Sequence, residues 1–137
     1  MITNPDIRLS RQCNIVVVED DRILRQLMID ILTEMGATCL EFEAADDALI
    51  HLLNTPEIYS LLITDHSLPG QLSGADLVEM ISRKWPKLPM ILTTGVDNNF
   101  AWLPSNVIFL KKPWRLEQLV ASVATLIAPA FILPPEA

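Results

Sequence analysis

Four apolar runs in this chain each end in residues able to do chemistry. NIVVVEDD, residues 14–21, runs into Glu19, Asp20 and Asp21; LLITD ends on Asp65; MILTT ends on Thr93 and Thr94; VIFLKKP ends on Lys111 and Lys112 before Pro113. Carboxylates brought together repel, and each has its pKa raised unless a cation stands between them. An all-oxygen set of this kind suits a hard divalent ion. Mg²⁺ accepts a few carboxylates, keeps several waters and completes its octahedron with a phosphoryl oxygen. An added ammonium and hydroxyl supply the charge and hydrogen bonds that a transferred phosphoryl group needs. The chemistry implied is metal-assisted phosphoryl transfer onto one carboxylate.

More than ninety residues separate Glu19 from Lys112, so only the topology can make them neighbours. The runs at 15–18, 37–42, 59–65, 89–94 and 106–111 read as strands. They are continuously apolar rather than alternating, which is the pattern of strands covered on both faces. Between them lie stretches with helical periodicity. Ile23, Leu24, Leu27, Met28, Ile31, Leu32 and Met35 form one such stripe, stopped by Gly36. Residues 44–53 form a short helix ended before Pro56. Ser73 is placed to cap a third, whose Leu77, Val78, Met80 and Ile81 are expected to face inward. Leu116, Leu119, Val120, Val123 and Leu126 mark the last. The segment GVDNNFAWLPSN, residues 95–106, is short and broken by Pro104, and predicts a loop or one to two helical turns. Strands alternating with helices predict an α/β doubly wound parallel sheet, and such sheets bind ligands beyond the carboxyl ends of their strands. That is where the acids, hydroxyls and lysines fall.

Composition narrows the function further. The 137 residues are half hydrophobic, with a net charge of −7, which fits one globular domain. With no dense Lys/Arg cluster, no direct nucleic-acid partner is expected. The run from Leu119 to Leu133 is too short for a bilayer and is interrupted by Pro129, so no membrane span is expected. The first twelve residues are not a signal peptide. Cys13 and Cys39 stand apart from any metal-binding spacing and read as reduced structural thiols. A cytoplasmic location is expected.

The pieces VVVEDD, LLITDHSLPGQLSG, PMILTTG and FLKKPW, in this order and each at a strand end, resemble the receiver domain of bacterial two-component response regulators. The resemblance covers about residues 12–128, leaving 1–11 as an N-terminal extension and 129–137 as a C-terminal tail. It implies a flavodoxin-like (βα)5 domain with strand order 2-1-3-4-5. Asp65 matches the phospho-acceptor. Glu19 and Asp20 match the acidic pair that holds Mg²⁺ with Asp65, and Ser67 the position whose backbone carbonyl joins them. Thr94 matches the switch hydroxyl and Lys112 the phosphate-binding lysine, its bond to Pro113 being cis. In each adjacent pair, Thr93/Thr94 and Lys111/Lys112, the family spacing favours the second. Phe109 matches the switch aromatic, and Pro69 and Gly74 the loop after the acceptor. Asp21 reads instead as the start of the first helix. His66 reads as a surface histidine and His51 as a helix-surface residue. Trp102 and Trp114 read as packing residues.

The resemblance implies a signalling switch rather than a turnover enzyme. A histidine kinase or phosphotransfer protein would be the donor, and a further protein the downstream partner. The alternative in the binding class is a pseudo-receiver that holds a partner constitutively. Eighteen positions separate Thr94 from Lys112, so the fourth helix should be short or missing, as in receivers of hybrid kinases and some stand-alone receivers. A monomer or weak homodimer is expected. The end at APAFILPPEA predicts either a single-domain receiver or a fragment of a larger hybrid kinase or regulator. Phe131, Ile132 and Leu133 are expected to pack on the domain. Ser67 and Val96 occupy positions that tune phosphoryl lifetime.

Overall fold

The computed structural model describes residues 8–9, 13–95 and 100–133, and side chains within 13–95 and 100–127. Expectations for Val96, for most of residues 1–11 and for residues 134–137 fall outside the described residues, as do the side chains of Phe131, Ile132 and Leu133.

In chain order the elements are β1 (Arg8–Leu9), β2 (Cys13–Val18), α1 (Arg22–Glu34), β3 (Ala37–Phe42), α2 (Ala45–Asn54), β4 (Leu61–Asp65), α3 (Gly74–Lys84), β5 (Met90–Thr94), β6 (Val107–Lys111), α4 (Leu116–Phe131) and β7 (Ile132–Leu133). Five strands form one parallel sheet in the order β3-β2-β4-β5-β6. Counted among themselves, these strands run 2-1-3-4-5, the expected flavodoxin-like order.

The alternation along β2 divides the core into two layers. Ile15 and Val17 point to the face covered by α1 and α4, where Met28, Ile31, Leu32, Leu119 and Val123 meet Ile63 and Ile91. Val16 and Val18 point to the face covered by α2 and α3, where Ala48, Leu52, Leu77, Val78 and Ile81 meet Leu62, Met90 and Leu92. A continuous apolar run thus serves two cores at once, because neighbouring side chains leave a strand on opposite faces.

Two of the helix starts, those of α1 and α3, are set by side chains. Asp21 caps α1, its carboxylate accepting from the amides of Ile23 at 3.0 Å and Leu24 at 3.2 Å. Ser73 and Asp76 form a reciprocal capping box at α3. Gly36, with φ +105°, makes the turn after α1.

Several local expectations are corrected. Ile23 is 82% exposed and Leu27 nearly half exposed, because the apolar stripe of α1 is wider than the strip of sheet it covers. Met80 is also exposed, being a neighbour of the buried Ile81 on a helix whose inward face is filled by Leu77, Val78 and Ile81. Trp102 lies in an exposed turn. Trp114, in contrast, packs against the α1/α4 core. Between β5 and β6, residues 100–106 form turns, in line with the expected short or missing fourth helix. The last helix continues past residue 128 to Phe131, and β7 then pairs antiparallel with β1. Backbone from both ends of the chain is thereby joined.

Candidate phosphoryl-acceptor site

The sheet brings the strand ends together as the sequence requires. Asp65, the last residue of β4, pairs in register with Thr93 of β5, and Thr94 pairs with Lys111 of β6. Glu19 follows β2, and its amide extends the ladder to Phe42 at 3.0 Å. Glu19, Thr64, Asp65, Thr93 and Thr94 are the buried polar residues at the carboxyl edge of the sheet.

Each oxygen of Asp65 is held. Oδ1 accepts from the backbone amide of His66 at 2.9 Å and from the hydroxyl of Thr93 at 3.3 Å. Oδ2 faces the Lys112 ammonium at 3.1 Å. The same ammonium reaches Glu19 Oε1 at 3.2 Å, so one lysine bridges two buried carboxylates. The other oxygen of Glu19 accepts the Asp21 amide at 3.0 Å. Burial pushes the Glu19 carboxyl above its ordinary value; the Asp21 amide opposes the rise, Asp65 adds to it and Lys112 offsets it. Burial alone would lower the Lys112 pKa, but the hydrogen bonds and charges of Asp65 and Glu19 outweigh it and hold the ammonium above its ordinary value. Its backbone is fixed as well, since the Lys112 amide donates to the Thr94 carbonyl at 2.8 Å. The Lys112–Pro113 bond is cis, as the resemblance implies.

Asp20 is exposed at the rim, yet its carboxylate completes a cluster with Glu19 and Asp65 in which the three ligand atoms lie within 4.8 Å of one another. This donor set fits a hard divalent cation. It is all carboxylate, it is open on the Asp20 side, and one member, Glu19, is buried, that burial raising its pKa. Ser67 sits in the exposed turn two residues past Asp65.

The structure also supplies what the sequence did not show. His66 is half-buried rather than a surface residue. Its ring meets Phe100 edge-on, with centroids 5.0 Å apart, and its Nδ1 is a buried atom with no hydrogen-bond partner. Phe100 in turn stacks on Phe109, centroids 5.4 Å apart. Phe109 is 45% exposed, so its ring is a surface group backed by Phe100 and not part of the core. Asp46, at the start of α2, accepts the amides of Gln71 at 3.1 Å and Leu72 at 3.0 Å and so pins the loop after Asp65. Those amides hold the Asp46 carboxyl below its ordinary value. Gly70 turns beside it with φ +95°, and Gly74 packs against the Asp65 carbonyl with no room for a Cβ. Arg25 of α1 donates to the Glu19 carbonyl at 2.7 Å and pairs with Glu41 at 2.7 Å, fixing the turn that presents the acids. His51 is not a free surface group either; its Nε2 hydrogen-bonds the Tyr59 hydroxyl at 2.8 Å.

Comparison with known proteins gives the same family. Residues 15–124 match the family model of the response regulator receiver domain. The response regulator protein FleR of Pseudomonas aeruginosa is 32% identical over 114 residues, covering 80% of this chain and 24% of FleR. The DNA-binding transcriptional regulator NtrC of Klebsiella pneumoniae is 30% identical over 112 residues, covering 78% of this chain and 23% of NtrC. The chain thus spans about a quarter of the length of these relatives. Among solved structures, a response regulator receiver protein from Sinorhizobium medicae superposes with TM-score 0.80 at 20% identity, covering 86% of this chain and 96% of that one. A CheY-like receiver domain protein from Methanospirillum hungatei gives 0.75 at 22%, covering 87% and 96%. The chain belongs to the response regulator receiver domain family of two-component systems.

Proposed function

We propose that this domain is a phosphorylation-controlled switch that accepts a phosphoryl group on Asp65. The observation that carries the reading is the constellation at the sheet edge: a buried carboxylate held at both oxygens, a lysine bridging it to a second buried acid, and an exposed third acid completing a cation site.

Mg²⁺ would be held by Glu19, Asp20, Asp65 and the Ser67 carbonyl. When bound, it supplies positive charge to the three carboxylates and to the incoming phosphoryl oxygens. The protein's own residues do the rest. Asp65 is the nucleophile. Lys112, already at hydrogen-bond distance, neutralises charge on the transferred group. Thr94 is the hydroxyl that comes to the phosphoryl group, and Phe109 the aromatic that reports the change at the surface. The contacts from His66 to Phe100 to Phe109 join the acceptor to that surface. The domain promotes its own phosphorylation and dephosphorylation and turns over no external substrate.

The donor is a histidine kinase or phosphotransfer protein. The exposed Ile23 and Leu27 support a docking face beside the acceptor. Leu24, Leu27, Lys112, Pro113 and Trp114 line a cleft of about 380 Å³ there, and Lys112 belongs to both cleft and site. No helix among the described residues is long and apolar enough to cross a membrane. The domain is read as cytoplasmic. Phosphorylation would shift a two-state equilibrium and change the affinity for a downstream protein.

The test is direct. Incubation with Mg²⁺ and acetyl phosphate should add one phosphoryl group per chain by intact mass, and Asp65→Asn should abolish the addition. An unmodified wild-type chain under those conditions would overturn the proposal.

A further inference from the structure

We propose that Thr93 is a positioning residue for the acceptor, distinct from the role given to Thr94; this deepens the proposed function and rests on it. Thr93 is 1% exposed and sits on β5 directly opposite Asp65 in the parallel register. Its hydroxyl donates to Asp65 Oδ1 at 3.3 Å. The His66 amide donates to the same oxygen at 2.9 Å and also to the Thr93 carbonyl at 2.9 Å. Thr93 therefore contacts both the acceptor carboxylate and the amide that orients it. A β-branched side chain in a buried strand has few rotamers, so this donor is preset and costs little entropy to hold.

The two oxygens of Asp65 are thereby made unequal. Oδ1 accepts from two fixed neutral donors. Oδ2 faces a charged donor instead, the Lys112 ammonium at 3.1 Å. Oδ2 is the oxygen that attacks. It forms the new O–P bond with one of its own electron pairs, the donor's bond to phosphorus breaks, and the leaving group departs with the electron pair of that broken bond. Oδ1 becomes the carbonyl oxygen of the acyl phosphate, still accepting from Thr93 and His66. Holding the carboxylate plane before attack converts part of the orientational entropy of the reaction into a prepared geometry. Thr93 and Thr94 are adjacent but serve different moments: Thr93 orients the acceptor before transfer, and Thr94 meets the phosphoryl group after it.

The experiment compares wild type, Thr93→Val, Thr93→Ala and Thr93→Ser with Mg²⁺ and acetyl phosphate, following phosphorylation by intact mass at several donor concentrations. Thr93→Val keeps the shape and removes the donor; Thr93→Ser keeps the donor. The expected result is a roughly tenfold lower maximal rate for the Val and Ala variants, the scale of one hydrogen bond to a charged group. The half-saturating donor concentration and the Mg²⁺ affinity by calorimetry should be unchanged, with the rate restored by Ser. A Thr93→Val or Thr93→Ala protein that melts as wild type does and is labelled at the wild-type rate overturns the inference while leaving the proposed function standing. Loss of rate in Thr93→Ser equal to that in Thr93→Val also overturns it, since the hydroxyl would then not be the cause. Absence of labelling in the wild type overturns the proposed function and this inference with it.

Discussion

Glu19 and Lys112 show what a single side chain can decide. Glu19 is almost fully buried and Lys112 about a quarter exposed, and the ammonium serves two carboxylates at once. Lys112→Met should therefore leave Glu19 and Asp65 without their counter-charge and destabilise the protein, in the absence of divalent ions, by about 2 kcal/mol. The folded lysine titrates above its ordinary value of 10.5. Its contribution is then fully present below pH 10.5 and is lost as pH rises through the higher folded value. Urea denaturation should show the gap between wild type and Lys112→Met at pH 7 and its closure well above pH 10.5. A gap that survives where the lysine is neutral would mean that packing, not charge, holds the site. At this scale the sequence was readable wherever a charge was out of place. Glu19, Asp65 and Lys112 each end an apolar run, which is costly without a partner. Thr93 and His66 were not readable in this way. Two adjacent threonines look alike until the register puts one opposite Asp65, and the burial of the His66 ring depends on Phe100, thirty-four positions away.

Among the elements, the loop after β4 is the most tightly specified. Gly74 lies against the Asp65 carbonyl, closer than any Cβ could. Gly74→Ala must push apart Asp65 and α3, with an expected cost of about 2 kcal/mol or more by chemical denaturation. Wild-type stability in that variant would show that the loop yields freely. The far side of the loop hangs on Asp46. Its carboxyl is depressed below the ordinary 3.8 by the Leu72 and Gln71 amides, so the clamp holds above that value and fails as pH falls through the lower folded value. Amide hydrogen exchange should show Gln71 and Leu72 protected at pH 6 and unprotected in Asp46→Ala. In the wild type, protection relative to the rest of the sheet should fall only below pH 3.8. Strands and helices were legible because the apolar runs had to be buried and the caps Asp21 and Ser73 stood at the starts of α1 and α3. The Asp46 clamp was hidden, since an acid at a helix N-terminus is explained by the dipole alone. Also hidden was the β1/β7 pairing, which joins two segments with no pattern of their own.

For the whole molecule, the parallel sheet does two jobs. Its alternating side chains fill two cores, and its carboxyl edge gathers groups that the sequence spreads over more than ninety residues. The fold class could be read because continuous apolar strands between amphipathic helices have few other solutions. The segment before Phe109 could be read only as a short interval between β5 and β6. The packing of Phe100 there, edge-on to His66 and stacked on Phe109, has no local sequence pattern to announce it. The central claim is that all this geometry serves one atom group, the Asp65 carboxylate. Borohydride reduction of the phosphorylated protein, followed by peptide mass spectrometry, converts an aspartyl phosphate to homoserine at its own position. The account predicts the modification at residue 65 alone. Modification at Glu19, at Asp20 or at any other position would contradict it.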